Sequence, residues 1–481
     1  MILDGRVIRT TVPVRLPVLG SMERMTAIDA AFLAAESART PMHLGSLSIL
    51  EGAPFVDDRG AFRLDAVRER VASRLHLLRR FRSRVAEIPF GQGRPVWVDD
   101  DQFRISNHVK LYVLERPGTR VQLAEACCRI QMEQLDRRRP LWELWFVEGL
   151  EDGSVALVEK LHHAMVDGVS GVDVAAALLD LEPSPPPTDV PEWHPSPRPG
   201  AAELLVRAEL ERFRQPSNWW HTVREVVRTP AAMAHVVSGL ADVAASELGV
   251  LTSDRGLIAD VGTRRRLQWV QAPLERVREV AHRHHATVND VALAVIAQAT
   301  HALFETRGVH VASGTLQILV PVSTRVADEH DDMGNRVTAM LVPVPLGGPT
   351  LEWRIDAVRD VMAQHKKHHQ SDGVEVALDV LELMPSSVAS LLARTMHVQP
   401  LMDVVVTNVP GPPFPLYFMG ARLTESVPIV PLGGNLSVGI ALLSYDGQLT
   451  VGVYADPDAC PDLDVLVDAL HAALAELDDL V

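Results

Sequence analysis

Apolar residues recur along this chain with two periods, near 3.6 and near 2, and the switches between them mark its elements. Residues 26–36 (TAIDAAFLAAE) read as a short amphipathic helix, followed by a strand over 44–50. Helical spacing returns over 64–78 and again over 120–135, and residues 154–161 (SVALVEKL) alternate as a strand does. A helix over 172–181, capped by Ser170, closes this first stretch.

The composition then changes. Residues 182–200 (EPSPPPTDVPEWHPSPRPG) carry proline after proline and can be neither helix nor inner strand. Residues 201–251 are rich in helix formers, with Trp219 and Trp220 flanked by Arg214 and Arg224. Trp favours a lipid headgroup region and Arg favours anionic lipid, so this pair is either packed against the protein or an interfacial anchor.

An α/β pattern restarts beyond that point. Helices are predicted over 274–285, 289–304, 352–369 and 462–477, and strands over 315–321, 337–345, 403–408, 435–444 and 449–454. Asp446 and Gly447 between the last two strands are a hairpin signal. The pattern divides the chain into an extension at 1–20, a first α/β domain at 21–181, a proline-rich linker with a helical crossover at 182–265, and a second α/β domain at 266–481.

Charge and composition narrow the classes. A formal net charge of −16 argues against a nucleic-acid binder, which would show a basic footprint. Adjacent Cys127 and Cys128 and the distant Cys460 form no CxxC spacing and read as buried thiols in a reducing compartment. The N-terminal residues are charged early and lack an apolar stretch of signal-peptide length. The longest apolar helix, over 291–304, includes Gln298, Thr300 and His301 and falls short of a membrane span. The expectation is a cytoplasmic protein without a transmembrane helix.

The candidate chemistry lies in residues 159–168, EKLHHAMVDG. A strand runs into His162 and His163, and four residues beyond His163 come Asp167 and Gly168. Adjacent residues at a strand end turn opposite ways, so one imidazole faces a cleft while the other turns inward. An imidazole suits proton removal near neutral pH. No GxSxG nucleophile elbow is present, and a thioester donor would require no covalent intermediate, because a thiol with a pKa of about 8.5 leaves readily. A purely structural histidine pair, a metal site on His162, His163 and Asp167, and a serine hydrolase triad are the competing readings.

These residues resemble the HHxxxDG motif of the wax ester synthase/diacylglycerol acyltransferase family. Other segments are similar to that family in the same order: Pro140-Leu141-Trp142, Asn289-Asp290, Pro41-Met42-His43-Leu44-Gly45, Pro321-Val322-Ser323 with Gly334-Asn335, and Thr407-Asn408-Val409-Pro410-Gly411-Pro412. The resemblance implies a two-domain coenzyme A-dependent acyltransferase (chloramphenicol acetyltransferase-like) α/β fold with an active-site tunnel between the domains. It implies His163 as general base, with His162 and Asp167 mainly structural, and Arg325 as the partner of Asp167. Asn289 and Asp290 would cap a helix or position substrate, and Pro140, Leu141 and Trp142 would build the cleft wall and pack the domains together. It implies acyl-coenzyme A as a substrate with no cofactor and no metal, and diacylglycerol or a long-chain alcohol as acceptor. Such acceptors imply peripheral contact with the inner membrane or a lipid droplet; oligomeric state is left open. A carrier-protein-dependent condensation-type enzyme and a non-catalytic lipid-binding relative are the alternatives.

Overall fold

The computed structural model describes residues 22–165, 171–186, 189–214, 257–311, 314–323, 337–368 and 402–481. Two six-stranded mixed sheets organise these residues, with a small three-stranded sheet beside the first. In chain order the strands are β1 (Glu23–Arg24), β2 (His43–Leu50), β3 (Ser83–Ala86), β4 (Val96–Asp99), β5 (Val109–Val113), β6 (Trp142–Glu148) and β7 (Val155–His162). The second half adds β8 (Arg266–Pro273), β9 (Thr315–Ser323), β10 (Val337–Pro345), β11 (Val404–Pro410), β12 (Tyr417–Phe418), β13 (Ala421–Ile429), β14 (Val438–Tyr445) and β15 (Gln448–Ala455).

The first sheet has the order β12-β13-β2-β7-β6-β5. Its central strand β7 is covered on both faces, and its period-2 alternation sorts the side chains. Val155, Leu157 and Leu161 enter one cluster with Phe55, Trp142 and Phe146, whereas Ala156 and Val158 enter another with Leu123, Cys127 and Ile130. Those last three belong to helix α3 (Arg120–Met132), the crossover that makes β5 and β6 a parallel pair. A capping box between Thr119 and Gln122 starts α3, and Cys127 and Cys128 are buried, unpaired thiols within it. The same cluster takes in Leu267, Val427, Ile429 and Tyr454, so α3 is packed between the first sheet and the second half.

The strand that completes the first sheet comes from the far end of the chain. β13 pairs antiparallel with β2, Val427 opposite Leu47, before the chain passes on to β14 in the second sheet. The passage needs a close approach: a Cβ on Gly452 of β15 would lie 2.3 Å from the Pro428 carbonyl oxygen. Trp269 of β8 donates its Nε1–H to Glu425 of β13 at 2.5 Å, and Arg120 pairs with the same carboxylate at 2.8 Å. Strand β13 thus belongs by sequence to the second half and by hydrogen bonding to the first sheet.

The second sheet, β10-β9-β11-β14-β15-β8, contains the predicted hairpin between β14 and β15, with Asp446 and Gly447 at φ 44° and 81°. Helix α7 (Val288–Thr306) lies in the layer that covers it, packed against α6 (Leu274–Arg283), α8 (Leu351–His368) and α9 (Leu463–Glu476). Neighbours on several sides explain why α7 is apolar almost all round. Two of its polar groups are tied down: Gln298 donates to Glu476 at 2.6 Å, and the Thr300 hydroxyl donates to the Ile296 carbonyl at 2.8 Å. Among the described residues no helix is long and apolar enough to cross a membrane.

Candidate active site

Three adjacent strands bring three of the singled-out segments to one end of the first sheet. His162 is the last residue of β7 and lies opposite His43, the first residue of β2. The His162 amide donates to the Leu141 carbonyl at 2.9 Å, and the His163 amide donates to the Met42 carbonyl at 2.7 Å. The histidine pair is thus clamped by the backbones of residues 41–43 on one side and 141–142 on the other. Gly45 is required in this clamp: a Cβ there would lie 2.0 Å from the Glu159 carbonyl oxygen and 2.6 Å from Nε2 of Gln131, which donates to that oxygen at 2.7 Å.

The two imidazoles diverge as expected for adjacent residues at a strand end. His162 is fully buried. Its Nδ1 accepts from the Ala164 amide at 3.0 Å, and its Nε2 faces Oε1 of Glu36 at 3.7 Å. His163 is half-buried and stacks face to face on Phe32, with ring centroids 3.7 Å apart and planes 20° apart. Phe32 and Glu36 are one helical turn apart at the end of α1 (Ala27–Ala35), so one short helix supplies a partner to each histidine. The Thr26 hydroxyl caps that helix by accepting from the Asp29 amide at 3.1 Å.

Electrostatics follow from burial. Desolvation holds the His163 imidazole down to about 4 and the His162 imidazole down to about 3. Both rings are therefore neutral at neutral pH, which is the state in which a histidine can accept a proton. Burial alone would raise the Glu36 carboxyl, but His43, His162 and Arg137 outweigh it and bring the group down to about 2. Arg137 holds the carboxylate through Nη2 at 2.7 Å and Nε at 3.2 Å.

Pro140, Leu141 and Trp142 are buried, but the Trp142 ring packs within the first half. It stacks on His108 at 4.5 Å, tilts against Phe81 at 4.8 Å and donates its Nε1–H to the Phe81 carbonyl at 2.8 Å. Its aromatic contacts are with the turn before β3 and the loop before β5, the carbonyl contact with His162 comes from the backbone of Leu141, and Leu141 and Trp142 share an apolar cluster with Leu416, Phe418 and Leu423 of the second half. Burial holds His108 down to about 4, and its Nδ1–H is spent on the Trp142 carbonyl at 2.8 Å.

In the second half, Asp290 is the reciprocal partner in the capping box of α7. Its amide donates to the Thr287 hydroxyl at 3.2 Å, and its Oδ2 accepts from the Thr287 amide at 2.8 Å. Asn289 meets Asn408 of β11, whose Nδ2 donates to its Oδ1 at 3.4 Å, so two separated segments of the resemblance come together there. Asp167, Gly168, Arg325 and Asn335 lie outside the described residues, as do Ser170, Trp219 and Trp220.

Glu36, Gln131, Arg137 and Phe32 were not singled out from the sequence, and His43 entered only within a longer segment. The available signal was the turn-length spacing of Phe32 and Glu36 on a predicted helix; nothing local announces Gln131 or Arg137 as neighbours of His43.

Comparison with known proteins identifies the class to which this fold and histidine pair belong. Residues 25–292 match the model of the wax ester synthase/diacylglycerol acyltransferase catalytic domain, and residues 333–478 match the model of the C-terminal domain of the same family. The chain is 31% identical over 464 residues to a Mycobacterium tuberculosis protein named probable diacylglycerol O-acyltransferase tgs1, covering 95% of this chain and 96% of that one. It is 30% identical over 478 residues to tgs2 of the same organism, covering 96% of this chain and all (100%) of the relative. In fold it is similar to the wax ester synthase/diacylglycerol acyltransferase from Marinobacter aquaeolei VT8, with a TM-score of 0.64 at 23% identity over 95% of this chain and 99% of that one. The first condensation domain of the CDA synthetase shares the fold at a TM-score of 0.55 and 16% identity, covering 95% and 96% of the two chains. This chain belongs to the wax ester synthase/diacylglycerol acyltransferase family.

Proposed function

We propose that this protein transfers a long-chain acyl group from acyl-coenzyme A to the hydroxyl of diacylglycerol, and to long-chain alcohols, with His163 as the general base. One observation carries the assignment of the base. The second histidine of the HHxxxDG motif is held by its own amide on Met42 and by its ring on Phe32, and burial keeps it neutral.

In this reaction the neutral imidazole takes the hydroxyl proton as the alcohol oxygen attacks the thioester carbon. The tetrahedral adduct then collapses, the carbon–sulfur bond breaks, and the imidazolium returns its proton to the departing thiolate. Acyl-coenzyme A is consumed as a substrate, so the chain's own residues carry the proton and no cofactor enters the balance. Asp167 and Arg325 retain, in this reading, the structural pairing that the resemblance implies, and the tunnel between the two halves is the route by which the substrates meet. Both acceptors dissolve in lipid, so the protein works at the surface of the inner membrane or of a lipid droplet.

The test is thiol release from palmitoyl-coenzyme A with diacylglycerol or hexadecanol, on the full chain and on His163→Ala. Release that requires an alcohol and is lost in a folded His163→Ala protein supports the reading, and the better acceptor names the preference. Full activity in the variant removes His163 from the role of base. Silence of the wild-type protein with both alcohols would instead favour a carrier-protein donor or a lipid-binding role.

A further inference from the structure

A second layer of polar groups lies behind the histidine pair, and it is built from side chains facing one another. Oε1 of Glu36 lies 3.4 Å from Nε2 of His43 and 3.7 Å from Nε2 of His162, and all three side chains are almost completely buried. None of these three atoms has a hydrogen-bond partner elsewhere. Three converging buried polar atoms are costly unless their protons are arranged to suit one another.

The surrounding hydrogen bonds fix that arrangement. Nδ1 of His162 accepts the Ala164 amide hydrogen, so the single hydrogen of the neutral ring is on Nε2, pointing at Oε1. Nδ1 of His43 lies 2.7 Å from the Gln131 carbonyl, which only accepts, so a neutral His43 carries its hydrogen there and turns an unprotonated Nε2 toward Oε1, leaving the His162 N–H as the one that can face that oxygen. Oε2 of Glu36 is occupied by the Arg137 guanidinium, which also donates to the Leu33 carbonyl at 2.7 Å. The carboxylate cannot rotate away without breaking that fork. Its second oxygen is therefore a stationary anion presented to His162, in a medium where such a charge acts strongly.

We propose that Glu36 is a positioning residue: its carboxylate, fixed by Arg137, locks His162 in the Nε2–H tautomer, so that Nδ1 receives the Ala164 amide and sets the turn from which His163 projects. The Ala164 amide follows His163 directly, so the contact that defines the tautomer also defines the backbone on both sides of His163. Phe32, one helical turn before Glu36, completes the arrangement by bracing the His163 ring. The inference rests on the reading of His163 as base for its effect on rate, but its core, the tautomer, does not.

Histidine 15N correlation spectra of the wild-type full chain test the tautomer directly. The expected pattern for His162 is a protonated Nε2 with an unprotonated Nδ1; the opposite pattern overturns the proposal without need of any variant. Glu36→Gln then tests the consequence. Arg137 retains the amide oxygen of the new side chain, which turns its NH2 group toward the imidazoles and opposes an Nε2–H on His162. The expected result is loss of the His162 Nε2–H signature with kcat lowered at least about tenfold and KM within about twofold, the share of rate that geometry controls. Wild-type kcat with an unchanged His162 spectrum overturns the proposal. A separate failure, activity retained in His163→Ala, would remove the base assignment while leaving the tautomer result standing.

Discussion

The two sheets bury polar groups in different ways. Around the second sheet, several buried polar side chains finish elements by binding backbone. Asp290 closes the first turn of α7, Asp403 accepts from the Gln317 amide at 2.8 Å, and Arg354 donates to the carbonyls of Leu346 and Gly347. At one end of the first sheet, buried polar side chains face one another. Glu36 meets His43, His162 and Arg137, and Lys160, fully buried, meets Glu143, which Lys110 also pairs. A side chain bound to backbone has its role exhausted by the fold. A side chain facing a titratable neighbour has its protonation coupled to that neighbour.

The comparison can be broken most severely at His163. His163→Ala is expected to lower kcat by about 10²- to 10⁴-fold with an unchanged circular dichroism spectrum, measured by thiol release. The counterpart in the second region is Phe304→Ala, which empties a fully buried site in α7. It is expected to cost about 3–5 kcal/mol in urea unfolding while leaving kcat of the folded fraction close to wild type. A large direct loss of kcat there would show that the two regions are not divided as described.

Titration sharpens the contrast. His162, His163 and His108, all in the first region, have folded-state values depressed below the unfolded value of about 6.5. A depressed value means that the unfolded chain takes up protons first as the pH falls. The stability is therefore complete above about 6.5, is lost progressively as pH falls below that value, and the loss levels off between 4 and 3 where the folded rings take up protons too. Urea unfolding at about pH 5 is expected to show a loss on the order of 2 kcal/mol for each of these histidines relative to about pH 7. Glu36, held at about 2 in the fold, adds to the same loss below about 4.5, where the unfolded carboxyl takes up a proton that the folded one does not. The smallest effect is expected from Thr287→Ala, which removes the cap of α7 for about 1 kcal/mol, read from the same urea midpoint.

Much of the fold was legible because local periodicity reports burial. The helix predicted over 26–36 is α1 with its Thr26 cap, the strand over 337–345 is β10, and the hairpin at Asp446–Gly447 is formed by two residues able to take positive φ. The strand at 421–429 was missed although its first residues alternate between buried and exposed, because Glu425 and Ser426 interrupt the apolar pattern. Those two are buried by partners from other elements: Trp269 and Arg120 for Glu425, and Ser48 for Ser426 at 3.1 Å.

The sequence by itself determined the histidine pair, its place at a strand end and the divergence of its two rings, since alternation along a strand is a property of the backbone. It also placed Asn289 and Asp290 at the start of α7, where Asp290 completes a capping box with Thr287. Only the tertiary structure decided that Glu36, His43, Gln131 and Arg137 surround His162, and that β13 completes the sheet on which His162 stands. These partners are separated from one another by up to roughly a hundred residues along the chain, as Arg137 is from Glu36 at a spacing of 101. Contacts of that range are chosen by which apolar faces pack together, and no periodicity within a single element records the choice.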